Sequence, residues 1–266
     1  MKSDALDRVL LLCCEFDATV VKSPSLILNA ETMVEVVVTM ADSRRVTYRL
    51  ALVARGDSVY AREALPDKLP SFCPPLHINP DSTFCTGWSE VADLNVTNEE
   101  SAEEWWSRLL GYLRLQHRAK RLRRWPGKEW AHGDAARHQY DAERHAVLLG
   151  TDFVQDLEDE KIRVEAWNRL APIHGRLLRV YRHDKFIYTV SERQARVLNT
   201  RQKCVCVDGD VKRHRRLRSC FGHANAAAGL ALSLWKWAQA DEKFWAAVKH
   251  RNCCGRMQGC RLQVEV

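Results

Sequence analysis

The sequence predicts an α+β protein with an antiparallel sheet and flanking helices, followed by a smaller cysteine-rich C-terminal region. Two runs rich in β-branched residues, TMVEVVVTM and RRVTYRLALVA, are separated only by Ala41-Asp42-Ser43. Such a spacing is typical of an antiparallel hairpin. Six of the ten cysteines lie between residues 204 and 260, which marks the C-terminal part as a different kind of structure. We expect two domains, residues 1–150 and residues 151–266.

Apolar periodicity, capping residues and turn residues predict five further elements along the chain. These are a first helix near residues 4–14, a helix that follows a capping box at 97–100 and ends at Pro126, a helix from Gly133-Asp134 to Gly150, a hairpin over 173–190, and a final Trp-rich helix. A charged linker is expected near DLEDEK.

Charge is distributed unevenly between the two parts of the chain. Residues 1–104 carry nine Lys and Arg against 17 Asp and Glu, whereas residues 105–266 carry 32 against 17. The basic part could bind nucleic acid, bind an acidic protein or present a solvated basic face, and these alternatives stay open.

Composition also bears on where the protein works. No apolar run approaches the roughly 20 residues that a membrane helix needs, and Asp4 and Asp7 argue against a secretory signal. Adjacent cysteines such as Cys253-Cys254 are typical of a reducing compartment with metal binding rather than of a disulfide framework. We therefore expect a cytoplasmic protein without membrane contact.

The stretch LPSFCPPLHINPDSTFCTGW, residues 69–88, contains a candidate nucleophile. Cys85 follows a Pro-Asp-Ser turn, and Asn79 on the facing arm could donate a hydrogen bond to an oxyanion. His77 lies nearby in sequence, and His132, before a glycine in a later turn, could act as a base or make a structural hydrogen bond. The alternative is that Cys85 is an ordinary buried thiol.

The order of elements around Cys85 resembles that of the ubiquitin-conjugating (E2) enzymes. In that family a proline-containing stretch like Pro74-Pro75 precedes a His-Pro-Asn motif, and the catalytic cysteine follows. His77-Ile78-Asn79 matches two of the three motif residues, and Cys85 matches the nucleophile. Ile78 replaces the family proline, and the interval from Asn79 to Cys85 is two residues shorter than in the family.

The shorter interval and the cysteine-rich tail resemble the E2-like proteins of bacterial ubiquitin-like conjugation operons. WPGKEWAHGDAARHQYDAERHA, residues 125–146, is also similar to that group. The resemblance implies that an E1-like enzyme passes a ubiquitin-like protein to Cys85 as a thioester, and that an amine of a target then attacks. It further implies a JAB-type peptidase as a possible partner and antiphage defence as the setting.

The C-terminal part contains candidate metal ligands. Cys-x-Cys and Cys-x-x-His pairs, with thirteen residues between them, predict a tetrahedral Zn²⁺ site made of Cys204, Cys206, Cys220 and His223. A second group, Cys253, Cys254 and Cys260, could complete the same site, form another, or remain free thiols. On the helix after Gly133, His138, Asp141 and His145 share one side and could bind metal, pair with each other or face solvent.

Two other functions are compatible with these residues. One is a zinc-dependent nucleic-acid-binding protein in which Cys85 is structural and the basic segment KRHRRLR, residues 212–218, contacts phosphate. The other is a cysteine hydrolase that uses Cys85 with His132. For a conjugating enzyme, the same basic segment could instead dock an acidic protein surface.

Overall fold

A computed structural model describes residues 4–22, 31–88, 93–127, 130–171, 173, 175–206, 216–220 and 222–262. The chain divides into two compact units. The first contains Met1–Glu129 together with Lys249–Val266, and the second contains Trp130–Val248. The C-terminal segment therefore belongs to the same unit as the N-terminal half of the chain.

The first unit is built on a four-stranded antiparallel sheet. Its strands are β1 (Ala18–Lys22), β2 (Thr32–Thr39), β3 (Arg45–Arg55) and β4 (Ser58–Glu63), in the order β1-β2-β3-β4. The predicted hairpin is confirmed as β2 and β3, with Val34 opposite Leu50 and Val36 opposite Tyr48. These four side chains are buried, because alternate residues of a strand point to the same face of the sheet.

Two helices pack in the first unit, α1 (Asp4–Leu11) and α2 (Glu99–Leu122). The N-cap of α2 is Asn98, whose side chain accepts a hydrogen bond from the Ser101 N–H, so the capping box lies one residue later than the predicted 97–100. The helix ends at Leu122, before the expected Pro126, because Arg123 adopts a left-handed conformation with φ of 57°.

Two adjacent tryptophans anchor α2 in the core of the first unit. The Trp106 indole N–H donates to the Val9 carbonyl of α1 at 2.8 Å. The Trp105 indole N–H donates to the Val59 carbonyl of β4 at 2.7 Å. Because both indoles are buried, these hydrogen bonds satisfy groups that would otherwise be costly to remove from water.

The second unit contains a second antiparallel sheet and three helices. Their bounds are α3 (Ala135–Leu149), α4 (Thr151–Glu158), β5 (Ile162–Ala171), β6 (Gly175–Arg182), β7 (Lys185–Ser191), β8 (Arg196–Val197) and α5 (His223–Val248). The strand order is β5-β6-β7-β8. The helix predicted from Gly133-Asp134 to Gly150, the hairpin of β6 and β7, and the Trp-rich helix are confirmed.

The segment expected to be a charged linker forms α4 and leads into β5 instead. β5 pairs antiparallel with β6, with Val164 opposite Val180. Residue 150, where the sequence suggested a domain boundary, lies inside the second unit, since α3 packs along α5 there. The core between these helices and the sheet includes the buried Tyr188, whose hydroxyl donates to the Ala227 carbonyl at 3.0 Å.

None of the helices in the described ranges is long and apolar enough to cross a membrane.

Candidate functional site

The segment that leads to Cys85 begins with a tight turn. Pro74–Leu76 form one turn of 3-10 helix, which suits a proline pair because proline fixes φ and has no N–H to place. His77 closes the turn with φ of 55°, and its N–H donates to the Pro74 carbonyl at 2.7 Å. Across this turn Cys73 and Ile78 exchange backbone hydrogen bonds, at 3.3 and 3.1 Å.

A narrow hairpin then carries the chain to Cys85. One backbone bridge, between Ile78 and Phe84, joins the two arms of this hairpin. The Phe84 N–H donates to the Ala61 carbonyl of β4 at 2.8 Å, so the hairpin is attached to the sheet. The Cys85 N–H donates to the His77 carbonyl, also at 2.8 Å. Cys85 therefore stands at the end of a hydrogen-bonded arm.

Polar side chains stabilise the tip of this hairpin. The Asp81 carboxylate accepts from the Thr83 N–H at 3.1 Å, from the Thr83 hydroxyl at 2.6 Å and from Arg55 at 2.8 Å. Partial burial alone would raise the pKa of Asp81, but the hydrogen bonds from Thr83 and Arg55 outweigh it and hold that pKa below its ordinary value. Asp81 is thus ionised at neutral pH.

Asn79 lies in the same network. Its side-chain amide donates to the Thr83 hydroxyl oxygen at 3.1 Å, and its backbone N–H donates to the Thr83 carbonyl at 2.8 Å. An asparagine amide has two hydrogens, so one donor is left after the bond to Thr83. In this structure Asn79 shapes the turn, and its second hydrogen is the one that an oxyanion would need.

Cys85 itself is half-buried, and its sulfur lies 3.6 Å from the Gly87 carbonyl oxygen. Burial raises the pKa of the Cys85 thiol above its ordinary value. The resting residue is therefore a neutral thiol at physiological pH. Asp81 is one candidate acceptor for a proton near this site, and Glu90, five residues after Cys85, lies outside the described residues.

Two residues of α2, Tyr112 and Gln116, make hydrogen bonds to the backbone that leads to Cys85, and the sequence did not predict them. The Tyr112 hydroxyl lies 3.0 Å from the Leu76 carbonyl oxygen and 3.2 Å from that of His77. The Gln116 amide also donates to the Leu76 carbonyl. Burial raises the pKa of Tyr112 well above its ordinary value, so it remains a donor. The sequence does contain a signal for these contacts: Gln116 is a polar residue one turn after Tyr112 on an otherwise apolar helix face.

The two histidines proposed from sequence lie in different surroundings. The His77 ring is buried and packs at 4.6 Å from the Trp125 ring, and the His77 backbone carbonyl accepts from the Cys85 N–H. His132 belongs to the second unit, where its ring packs against Phe244 and Trp245. Burial lowers the pKa of His132, opposed in part by a nearby carboxylate. A catalytic role for either ring stays a prediction.

Four predicted metal ligands of the second unit converge. The ligand atoms of Cys204, Cys206, Cys220 and His223 all lie within 4.8 Å of one another. The His223 Nδ1 atom is 3.3 Å from the Cys204 sulfur and 3.0 Å from the Cys220 sulfur, and the Cys206 and Cys220 sulfurs are 3.8 Å apart. Metal–sulfur bonds of about 2.3 Å and metal–nitrogen bonds of about 2.0 Å give comparable ligand separations in a tetrahedral site.

Local structure explains this convergence. Lys203, just before Cys204, forms a backbone bridge with Arg216, which brings the two ends of the intervening segment together. A turn of 3-10 helix, Leu217–Ser219, then leads to Cys220, and His223 is the first residue of α5. Residues 207–215, with most of the basic segment, lie outside the described residues.

A second group of cysteines forms in the first unit. The sulfurs of Cys73, Cys253 and Cys254 lie within 4.8 Å of one another, and Cys260 is 3.5 Å from Cys253. Sequence reasoning had named three of these cysteines but not Cys73, which no local spacing connects to them. Neither cysteine group includes His138, Asp141 or His145, so the described part of α3 has no three-ligand cluster.

Comparison with known families accounts for both parts of the chain. Residues 23–127 match the family described as a prokaryotic E2 domain. Residues 131–262 match the family described as a cysteine-rich domain C-terminal to the E2 domain. The chain belongs to the prokaryotic E2 proteins with a C-terminal cysteine-rich domain. The resemblance and the α+β fold class stated from the sequence are therefore confirmed.

The E2 domain supports a conjugating function in general, with an E1-like enzyme and a ubiquitin-like protein as the classes of partner. The cysteine clusters of this E2 protein could bind a metal. No curated protein and no solved structure matches the chain significantly.

Proposed function

We propose that this E2 protein accepts a ubiquitin-like protein as a thioester on Cys85 and passes it to an amine of a target. The observation that supports this most is the position of Cys85. It is half-buried at the end of a hydrogen-bonded hairpin, within the part of the chain that matches the prokaryotic E2 domain.

The proposed reaction has two steps, each an exchange at one carbonyl carbon. First, the Cys85 sulfur attacks the thioester carried by the E1-like enzyme. A bond to the Cys85 sulfur forms, the bond to the E1 sulfur breaks, and the proton of Cys85 ends on the departing E1 thiol. Second, the target amine attacks the new thioester, an amide forms, and Cys85 leaves as a thiol while the amine loses a proton.

The neighbours of Cys85 can assist both steps. Each step passes through a tetrahedral intermediate with a negatively charged oxygen, which the remaining amide hydrogen of Asn79 could stabilise. Asp81 is ionised and could accept the proton of the attacking amine. His77 contributes through its backbone carbonyl, which fixes the Cys85 N–H.

The raised pKa of Cys85 has a consequence for specificity. A neutral thiol is a poor nucleophile toward arbitrary electrophiles, since the thiolate is the reactive form. Transfer then depends on a partner that holds an activated acyl group against Cys85. This favours acyl transfer between docked proteins over hydrolysis by a pre-formed thiolate.

The test is thioester formation by purified components. The protein is incubated with its E1-like enzyme, its ubiquitin-like partner and ATP, then separated on a gel without reducing agent. We expect an adduct that disappears on adding thiol and is absent from Cys85→Ala. Cys14→Ala is the matched control, because Cys14 is an exposed thiol of the same unit. A thiol-sensitive adduct on Cys85→Ala would show that another cysteine is the acceptor.

We further propose that Cys204, Cys206, Cys220 and His223 bind a structural Zn²⁺ ion. Three thiolates and one imidazole, with no other ligand needed, are the donor set of closed tetrahedral zinc sites. Such an ion cross-links the chain and supplies no chemistry to the transfer. Its role is to hold the segment before α5, where Val205 and Leu217 pack on the core of the second unit.

The biological setting that we infer from the resemblance is antiphage defence. An operon encoding this protein with E1-like, ubiquitin-like and JAB-type components would be compared with the same operon carrying Cys85→Ala. We expect the intact operon to lower phage plating and the variant to lose that protection. Equal protection by both would separate any defence role from acyl transfer by Cys85.

A further inference from the structure

Thiols from two distant parts of the sequence meet in the first unit. Cys73 is fully buried and precedes the turn that leads to Cys85. Its sulfur lies 3.3 Å from the sulfur of Cys253 and 3.3 Å from that of Cys254, which are about 180 residues later in the chain. Cys260 lies 3.5 Å from Cys253 on the other side.

We propose that Cys73, Cys253, Cys254 and Cys260 bind a second Zn²⁺ ion, which fastens the C-terminal segment 249–262 to the loop that carries Cys85. This site goes beyond the proposed acyl transfer, and it adds a ligand from the E2 domain to cysteines of the cysteine-rich domain. Binding replaces four S–H bonds by four Zn–S bonds and releases four protons to solvent.

The distances fit a thiolate zinc site. Zn–S bonds of about 2.3 Å at tetrahedral angles separate neighbouring sulfurs by about 3.8 Å. The three shortest sulfur separations, at 3.3, 3.3 and 3.5 Å, are within half an ångström of that value. Cys260 is outside the set whose sulfurs are all within 4.8 Å of one another, so it is the ligand that would move on binding.

The backbone that follows Cys254 directs hydrogen-bond donors at its sulfur. The N–H groups of Arg256 and Met257 both donate to the Cys254 sulfur. Gly255 has φ of 64°, a conformation that glycine adopts without strain and that turns the following N–H groups back toward the sulfur. Hydrogen bonds to a ligating atom fix its orientation, so the Cys254 sulfur is held in place for an ion.

The charged side chains near the four cysteines also favour an anionic zinc–thiolate centre. Four thiolates with one Zn²⁺ carry a net charge of minus two. A cavity beside Cys254 is lined by three basic side chains, Lys68, Lys120 and Arg256, and by one acidic side chain, Asp67, which pairs with Lys68. Cations near a buried anionic centre reduce the cost of removing it from water. A disulfide would use only two of the four thiols.

The proposed ion would restrain the segment that positions Cys85. Cys73 exchanges two backbone hydrogen bonds with Ile78, at the base of the Cys85 hairpin. The C-terminal segment touches the same hairpin again through Arg251, which donates to the Pro80 carbonyl at 3.0 Å and lies over the Phe72 ring. A metal bound by Cys73 and by the cysteines of the C-terminal segment would therefore hold that segment against the base of the Cys85 hairpin.

The first measurement is the zinc content of the full-length protein, expressed with added Zn²⁺ and then desalted. We expect two ions per chain for the wild type, one for Cys73→Ser and one for Cys204→Ser. Cys14→Ser, the matched control, should keep two. Two ions in a folded Cys73→Ser variant, or a single wild-type ion that a folded Cys73→Ser variant keeps, would overturn the second site.

A second measurement does not depend on whether the variants fold. The wild type is treated with an alkylating reagent, with and without a chelator, and each cysteine is followed by mass spectrometry. We expect the chelator to expose Cys73, Cys253, Cys254 and Cys260 to alkylation. Cys13 controls for burial alone, since it is 4% exposed and outside both cysteine groups. Equal protection of Cys73 and Cys13 with the chelator, or a mass lower by two hydrogens per disulfide, would overturn the proposal.

Discussion

The backbone N–H of Cys85 and the carbonyl oxygen of His77 are 2.8 Å apart and hydrogen-bonded. The same carbonyl lies 3.2 Å from the Tyr112 hydroxyl of α2. One backbone oxygen thus links the proposed nucleophile to the core of the first unit. These two hydrogen bonds to the His77 carbonyl explain how a residue on a loop keeps a defined position.

Tyr112→Phe should destabilise the first unit without removing any residue that touches substrate. The single hydroxyl hydrogen of Tyr112 serves two carbonyls, each of which keeps another donor, from Gln116 or from the Cys85 N–H, so we expect the free energy of unfolding to fall by about 1 kcal/mol in chemical denaturation. Tyr60→Phe is the control, since Tyr60 is half-buried on β4, and it should change stability by less than about 0.5 kcal/mol. Equal denaturation midpoints for Tyr112→Phe and the wild type would contradict this role of the hydroxyl.

Asn79→Ala should slow chemistry more than it affects folding. Loss of one oxyanion donor typically lowers the rate by about 100- to 1000-fold, measured here as single-turnover discharge of the Cys85 thioester to an amine. Thr83→Val removes the hydroxyl that Asn79 contacts, but keeps the amide, and should have a much smaller effect on the rate. If Asn79→Ala discharges at the wild-type rate while folded, Asn79 serves only the turn.

Cys85 should react slowly with small electrophiles near neutral pH. Burial raises its pKa, so the thiolate fraction at a given pH is smaller than for an ordinary cysteine. We expect the rate of Cys85 alkylation, followed by mass spectrometry, to rise with pH through a midpoint above that of a free cysteine in a peptide. A midpoint below the peptide value would mean that a base or cation activates the thiol in the resting protein.

Asp156 should make the second unit sensitive to acid. Burial would raise its pKa, but hydrogen bonds from Arg182 and His183 outweigh burial and lower it. A lowered folded-state pKa adds stability above the unfolded pKa, about 3.9, and that stability is lost as pH falls through the folded pKa. Asp156→Asn should therefore be less stable at pH 7 and lose less stability below pH of about 4. Parallel stability curves for variant and wild type would contradict this.

Zinc removal should loosen the Cys204–His223 region before the E2 domain. Metal binding in such a site is coupled to folding, and among the described residues 200–206 and 216 none is fully buried. We expect limited proteolysis after chelation to cut first near residues 200–223, and Cys204→Ser to behave in the same way without chelator. Unchanged protease resistance of the metal-free protein would exclude a structural metal there.

Much of the fold could be predicted from local patterns. Alternating β-branched residues predicted β2 and β3, and the runs IHGRLLRVYR and KFIYTV predicted the hairpin of β6 and β7. The spacing of Cys204, Cys206, Cys220 and His223 predicted a cluster, and their ligand atoms do converge. These features depend on neighbours within about twenty residues, so their signals lie in short stretches of sequence.

Features that depend on distant contacts could not be predicted in this way. β5 was missed although Ile162, Val164 and Ala166 alternate with charged residues, and its place beside β6 is set by a pairing that the sequence does not specify. Tyr112 and Gln116 acquired their role because α2 packs beneath the Leu76-His77 carbonyls. The spacing of residues along the sequence therefore did not predict which side chains hold the Cys85 loop in place.

Cys73 marks this limit most clearly. The sequence by itself determined which residues have metal-binding or nucleophilic chemistry and which short elements present them. Only the tertiary structure decided that Cys73 meets Cys253 and Cys254, 180 and 181 residues away. The physical reason is that chain folding, not sequence spacing, sets the distance between segments that pack on the same core.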